Sequence, residues 1–366
     1  MVWPGPGRPH EAVAVPGVRL APGDVLVEME LATVCGSDVH TLSEDRPAPT
    51  PLILGHEQVG RVVALGRGGA RSVDGHRLEI GARVVWSVSV PCGRCVRCRR
   101  GMPEACVNAL AYGHERMRRG WELSGAFATH MHVLSGTPIV VVPEELPAAV
   151  LAPVSCATAT AVAALEAAGA VVPLAESVVV IAGGGMLGVT ASAMAAEAGA
   201  RVVLIEPQPE RRGSALEFGA DAVVDPGEGA AAVRKLIAST GRAGGHASLA
   251  TVAFELSGSP VAARLLLGSV DSGGVLVLAG STFPVPELAL SPERFIHDSL
   301  TIRGVHEYAP EQLGRAVAFL RQTWTRYPFA SQVGAVFPLA SIDEALAAAV
   351  ESAHSGGPRR IAVAAK

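Results

Sequence analysis

All six cysteines of the chain fall into two patterns that could hold a metal ion. Four make a tight run, Cys92, Cys95, Cys98 and Cys106, spaced C-x2-C-x2-C-x7-C. Four thiolates complete the tetrahedral shell of a zinc ion, so such a site would be structural. An iron–sulfur cluster competes with that reading, but the bacterial ferredoxin run closes with a shorter gap and a proline, and no second cluster set exists here. The other two, Cys35 and Cys156, lie far apart and bracket Gly55-His56-Glu57. A Cys/His/Cys set gives a metal only three strong ligands and leaves a position open for chemistry. Lone cysteines and histidines are more often core residues than ligands, so residue types alone do not decide the second site.

A different chemistry is written at Gly183-Gly184-Gly185-Met186-Leu187-Gly188, which follows the β-branched run Ser177–Ala182. This is G-x-G-x-x-G between a strand and a helix. Gly183 permits the tight turn, Gly185 lets a pyrophosphate approach the backbone, and Gly188 allows close packing of helix on strand. Met186 and Leu187 open the helix, whose unpaired N–H groups face the phosphates. The next strand, Arg201–Ile205, ends in Glu206, where a carboxylate accepts hydrogen bonds from an adenosine ribose diol. Glu206 would repel a 2′-phosphate, so NAD is expected over NADP. Arg211 and Arg212 follow closely; they either soften that preference or serve as solvated helix charges.

These sites need elements to position them. At 366 residues two domains are expected. The first 150 or so residues are rich in proline and glycine, with strand-like runs at Val25–Met29, Val59–Leu65, Ala82–Trp86 and Ile139–Val142. From Pro153 the texture changes to regular strand–helix alternation, which means a parallel, doubly wound sheet. Beyond Gly304, helices at Pro310–Gln322 and Ile342–Ser352 and a strand at Arg360–Ala364 are expected to return to the first domain. The assigned bounds are 1–157, with a metal lobe at about 91–107, then 158–303 and 304–366. With 49% hydrophobic, 17% charged and only 4% aromatic residues, a core of small aliphatic side chains is expected.

A net charge of −4 leaves no nucleic-acid footprint. Arg94, Arg97, Arg99 and Arg100 form one local basic cluster, read as a solvated lobe. No apolar run of spanning length and no secretory start are present, and reduced cysteines suit metal binding, so a cytoplasmic protein without membrane partners is expected.

Together these motifs resemble the zinc-dependent alcohol dehydrogenases of the medium-chain dehydrogenase/reductase family over nearly the whole chain. The resemblance rests on Cys35-Gly-Ser-Asp-Val-His40, Gly55-His-Glu57, the four-cysteine lobe, Ser155-Cys156 and Gly183–Gly188. It implies an α/β chain with a GroES-like β-rich catalytic domain and a Rossmann domain, assembled as a homodimer or homotetramer. It implies two zinc ions per chain: a catalytic one on Cys35, His56 and Cys156, with Glu57 as an alternate ligand, and a structural one in the lobe. By the same resemblance Asp38 orients His56, and Ser37 and His40 relay the proton of the alcohol to solvent. The reaction implied is hydride transfer between an alcohol carbon and NAD(P), yielding a ketone or aldehyde.

Two departures bear on substrate. The family's Gly-Asp-Arg-Val turn is here Gly81-Ala82-Arg83-Val84. The stretches Tyr112-Gly-His-Glu115 and Trp121-Glu-Leu-Ser-Gly125 are similar to a bacterial subgroup associated with phosphonate catabolism, and distantly to polyol and cyclitol dehydrogenases. Trp86, Ser87, Val88 and Ser89 stand where the family lines its pocket, and polar groups there suit a hydroxyl-rich or anionic substrate. A secondary, polyol- or cyclitol-like hydroxyl is the expected substrate, with hydroxyalkylphosphonates and simple alcohols as alternatives. The reading from another class is a non-catalytic zinc protein. Quinone reductases on the same scaffold lack the zinc ligands.

Overall fold

The computed structural model describes residues 1–44, 46–243, 249–281 and 283–365. The chain divides into a first unit, Met1–Ala159, Glu307–His354 and Pro358–Lys366, and a second, Thr160–His306 and Ser355–Gly357. The strands in order are β1 (Val25–Thr33), β2 (Glu57–Leu65), β3 (Arg83–Trp86), β4 (Ser89–Val90), β5 (Leu110–Ala111), β6 (His130–Val133) and β7 (Ile139–Val141). Then come β8 (Val178–Ala182), β9 (Arg201–Ile205), β10 (Ala222–Val224), β11 (Ala250–Glu255), β12 (Val270–Leu278) and β13 (Thr301–Gly304). The chain ends with β14 (Val333–Pro338) and β15 (Arg360–Ala364).

The first unit is built on a mixed sheet in the order β14-β15-β1-β2-β3-β7, with β6 also paired to β1. Its strands pair antiparallel except β14 with β15. β1 begins with the alternation of a strand that has one covered face: Val25, Val27 and Met29 are buried, and the residues between them half-buried. From Leu31 to Thr33 every residue is buried. There Thr33 pairs with Glu57 of β2 and Ala362 of β15, so the heads of two other strands converge where β1 runs into Cys35.

The core departs from the expected small aliphatic filling. Trp3, Trp86, Tyr112, Trp121 and Phe127 all sit in the first unit's core. These rings fill the space between short, irregular strands, while the buried cluster under the second sheet is aliphatic, with Phe295 packed against it and Phe218 and Phe254 buried elsewhere in that unit. The missing acid of the Gly81–Val84 turn is replaced from β1. Arg83 makes a two-pronged ion pair with Glu30, at 2.7 and 2.8 Å, and donates to the Leu146 carbonyl.

The second unit is a wholly parallel sheet in the order β10-β9-β8-β11-β12-β13, the doubly wound arrangement expected. β8 is buried along its whole length. At Gly188 a Cβ would lie 1.8 Å from the Gly183 carbonyl oxygen, and Gly183 itself has φ +107°, so neither position admits a side chain. Strands β6 and β14 and the helices Gly36–Leu42 and Pro292–Asp298 were not expected. Each is short, and β14 is a half-exposed edge strand without alternation, so periodicity carries little signal. No single described helix is long and apolar enough to cross a membrane.

The Tyr112 hydroxyl, fully buried, donates to Thr137 Oγ1 at 2.6 Å and accepts from the Leu134 N–H at 2.9 Å. Tyr112→Phe is expected to lower unfolding free energy by about 1–3 kcal/mol, because the Leu134 N–H loses its acceptor. A urea titration checks this: the midpoint should fall with an unchanged slope.

Candidate metal centre

Cys35 is the N-cap of the helix Gly36–Leu42, and its own N–H is accepted by Asp38 Oδ2 at 2.9 Å. This reciprocal cap explains the local sequence: the acid three residues on closes the first turn and fixes Cys35 at its mouth. Ser37, on that turn, puts its hydroxyl 3.2 Å from His56 Nε2. His40 lies three residues further along the same helix.

His56 immediately precedes β2 and is 4% exposed. Its Nδ1 faces Asp38 Oδ1 at 3.6 Å, too long for a hydrogen bond, and neither atom has another partner. That orientation leaves Nε2, beside Ser37, as the ring atom that could serve a metal. Cys156 follows the 3-10 turn Ala152–Ser155, which is tied to the histidine because the Ser155 hydroxyl donates to the His56 carbonyl at 3.1 Å. Tyr308 fastens the same turn from the other side by donating to the Ser155 carbonyl.

Cys35 Sγ and Cys156 Sγ are 3.7 Å apart, and with a His56 ring nitrogen they form a set of atoms all within 4.8 Å of one another. Two sulfurs bound to one tetrahedral zinc at its usual bond length lie about 3.8 Å apart, so the donor set fits that ion. The electrostatics fit it too. The hydrogen bond between the two sulfurs holds the Cys35 thiol well below its ordinary value and pushes Cys156 well above. Burial opposes protonation of His56, but the charges of Asp38 and Cys35 raise it to about 9. Burial pushes Asp38 up and Glu57 up to about 7. So many buried acidic groups call for a cation.

One cation is already built in, and sequence reasoning missed it. Arg360, at the head of β15, grips Glu57 with two charge-assisted bonds of 2.6 and 2.7 Å and reaches Cys35 Sγ at 3.9 Å. Thr33 completes the Glu57 cage, donating to Oε2 at 2.7 Å. Glu57 is therefore held away from the Cys35–His56–Cys156 set and backs it through Arg360. A buried acid beside His56 was the one sequence signal that a cation must stand nearby.

The lobe gathers Cys92, Cys95, Cys98 and Cys106 into a second set within the same 4.8 Å limit. The β4–β5 ladder closes its base, and Cys95 caps the helix Val96–Arg99. Cys95 Sγ lies 3.5 Å from Cys98 Sγ and 3.9 Å from Cys106 Sγ, again the spacing of zinc thiolates. Backbone N–H groups, chiefly that of Cys98, hold the Cys95 thiol down to about 6. Arg94, Arg97, Arg99 and Arg100 are exposed around it.

In the second unit the Glu206 carboxylate accepts from the Gly184 N–H at 2.6 Å and the Gln208 N–H at 3.0 Å, so the acid and the glycine turn hold each other. Gly185 has open space where a Cβ would stand. Met186 opens the helix Met186–Glu197 and is buried; Leu187 beside it is half-buried. Arg212 is committed to Asp225 and to the carbonyls of Glu206 and Pro207. Arg211, on the same helix, is half-buried. Ser87 and Ser89, offered above as substrate groups, are buried and bonded internally: Ser89 donates to Glu307 at 2.5 Å and its N–H to Ser87 Oγ.

If the two cysteine sets bind separate ions, the purified protein should carry two zinc ions per chain, and Cys35→Ser or Cys106→Ser should each leave one. Elemental analysis by plasma mass spectrometry reads this directly. Loss of both ions on changing Cys35 alone would contradict independent sites.

Residues 21–144 match the family described as alcohol dehydrogenase GroES-like domain, and residues 186–322 match zinc-binding dehydrogenase. The chain is 31% identical over 299 residues to an L-threonine 3-dehydrogenase of Streptomyces avermitilis, covering 80% of this chain and 79% of the relative. Its fold is similar to that of an alcohol dehydrogenase of Thermotoga maritima, with TM-score 0.87, 27% identity, and 100% and 98% of the two chains covered. A zinc-binding dehydrogenase of Sinorhizobium meliloti solved with NADP is similar at TM-score 0.80 and 25% identity, over 96% and 94% of the two chains. The chain thus belongs to the zinc-dependent, NAD(P)-linked alcohol dehydrogenases of the medium-chain dehydrogenase/reductase family, oxidoreductases acting on CH–OH donors.

Proposed function

We propose that the protein interconverts a secondary alcohol, polyol-like in character, and its ketone, with NAD as hydride acceptor. The observation that carries this reading is the convergence of Cys35, His56 and Cys156 beside a serine hydroxyl. A zinc ion on those residues supplies a Lewis acid that stabilises negative charge on the substrate oxygen. The protein's own groups do the rest. Ser37, 3.2 Å from His56 Nε2, stands where it can accept the alcohol's proton, and His40, half-buried one turn further along the same helix, is the group to pass it on. Asp38, 3.6 Å from His56 Nδ1, orients the imidazole ring, and Arg360 with Glu57 holds the sulfur of Cys35 in register.

The relatives named L-threonine 3-dehydrogenase support a secondary hydroxyl, since carbon 3 of threonine bears one. Glu206 supports NAD, because its carboxylate would repel a 2′-phosphate.

An NAD-reduction screen over simple alcohols, polyols, cyclitols and hydroxyalkylphosphonates tests the reading. Cys35→Ala should lower kcat/KM by about a hundredfold or more on any substrate found. Undiminished activity in that variant would remove the metal-based mechanism. Separately, Glu206→Ser should cut the preference for NAD over NADP, as a ratio of kcat/KM values, by about tenfold or more.

A further inference from the structure

We propose that Arg46 and His114 form a recognition point for an anionic oxygen group, a carboxylate or a phosphonate, carried by the hydroxyl substrate. This rests on the alcohol dehydrogenase reading of the neighbouring centre. Arg46 follows the helix Gly36–Leu42, and its N–H donates to the His40 carbonyl at 3.1 Å, so its place is fixed to the helix that carries Ser37. His114 lies against the ring of His56, with centroids 4.8 Å apart and planes tilted by 40°. Gly113 makes that approach possible: it has φ +74°, and a Cβ there would lie 2.5 Å from the Gly55 carbonyl oxygen.

Arg46 Nη1 is 3.3 Å from His114 Nε2. The guanidinium can only donate, so the ring accepts at Nε2 and carries its proton on Nδ1, which has no bonding partner among the described residues. Arg46 makes no ion pair among the described residues, whereas Arg61, Arg83, Arg201, Arg212 and Arg360 each hold a carboxylate. A half-buried guanidinium that spends one N–H on a neutral ring keeps a planar fork of donors for a bidentate oxyanion. It stands one imidazole away from the proposed metal ligand, so a substrate whose hydroxyl reaches the metal would present its charged group across a short spacer.

The test uses the zinc-loaded full-length enzyme, NAD, and matched secondary alcohols: butan-2-ol, 3-hydroxybutyrate and 2-hydroxypropylphosphonate. Wild type should prefer at least one anionic member by about tenfold or more in kcat/KM. Arg46→Met should erase that preference, chiefly through KM, and Arg46→Lys should restore part of it. In parallel, calorimetric titration of the same holoenzyme with methylphosphonate and with acetate reads anion binding without turnover, and Arg46→Met should weaken it. Loss confined to the phosphonate or to the carboxylate arm assigns the group. Equal preference in wild type and Arg46→Met, or anion binding that survives the substitution, overturns the proposal. Arg46-dependent anion binding in an enzyme that oxidises none of the alcohols would instead sink the reading of the catalytic centre and leave the recognition point standing.

Discussion

Cys35 Sγ and Cys156 Sγ lie 3.7 Å apart in the interior of the first unit, and that separation is the constraint most of the surrounding structure serves. Two thiol groups would not stay so close in a protein interior without reason, since each could be replaced by well-packed hydrocarbon. The register of three strands brings Thr33, Glu57 and Arg360 to one spot at the end of β1. The capped turn at Cys35, the Ser155–His56 bond and the Tyr308 hydroxyl then hold the two sulfurs from opposite sides. Backbone pairing thus brings the segments together, and the side chains of Arg360 and Tyr308 fasten them.

The charge arrangement around that point is as informative as its shape. Asp38 and Glu57 are fully buried acids, and only Glu57 has a full counter-ion. The Arg360–Glu57 pair therefore acts as a backing layer: it neutralises one carboxylate and lends positive field to Cys35, while Asp38 and the two thiols keep acidic groups for which a divalent ion would be the counter-charge. Removing one partner of such a pair would strand a buried charge, which is why the C-terminal strand is structurally inseparable from a site whose ligands lie within the first 156 residues.

Legibility in the sequence followed the range of the interaction. The lobe and the glycine turn were readable because their chemistry is local: the spacing of Cys92 to Cys106 and of Gly183 to Gly188 is itself the geometry. The doubly wound sheet was readable because β8, β9 and β11 are continuous apolar strands separated by helices. Pairings between distant segments were not. Arg360 meets Glu57 across 303 residues and Arg46 meets His114 across 68, and nothing in either local sequence names its partner. The Arg83–Glu30 pair was hidden in the same way, appearing only as the loss of a familiar acid from the Gly81–Val84 turn. Composition misled where it averaged the chain, since Trp3, Trp86, Tyr112, Trp121 and Phe127 gather in the first unit's core.

X-ray absorption at the zinc edge of the wild-type protein tests the central claim most directly, because it counts the atoms bound to the metal. Six thiolates shared by two ions give an average of three sulfurs per zinc, with the remaining shell made of nitrogen or oxygen at shorter distance. The account predicts that average of about three sulfurs at about 2.3 Å. A shell of four sulfurs per zinc, with no light atom, would mean that only the lobe binds metal and would contradict a zinc centre at Cys35, His56 and Cys156.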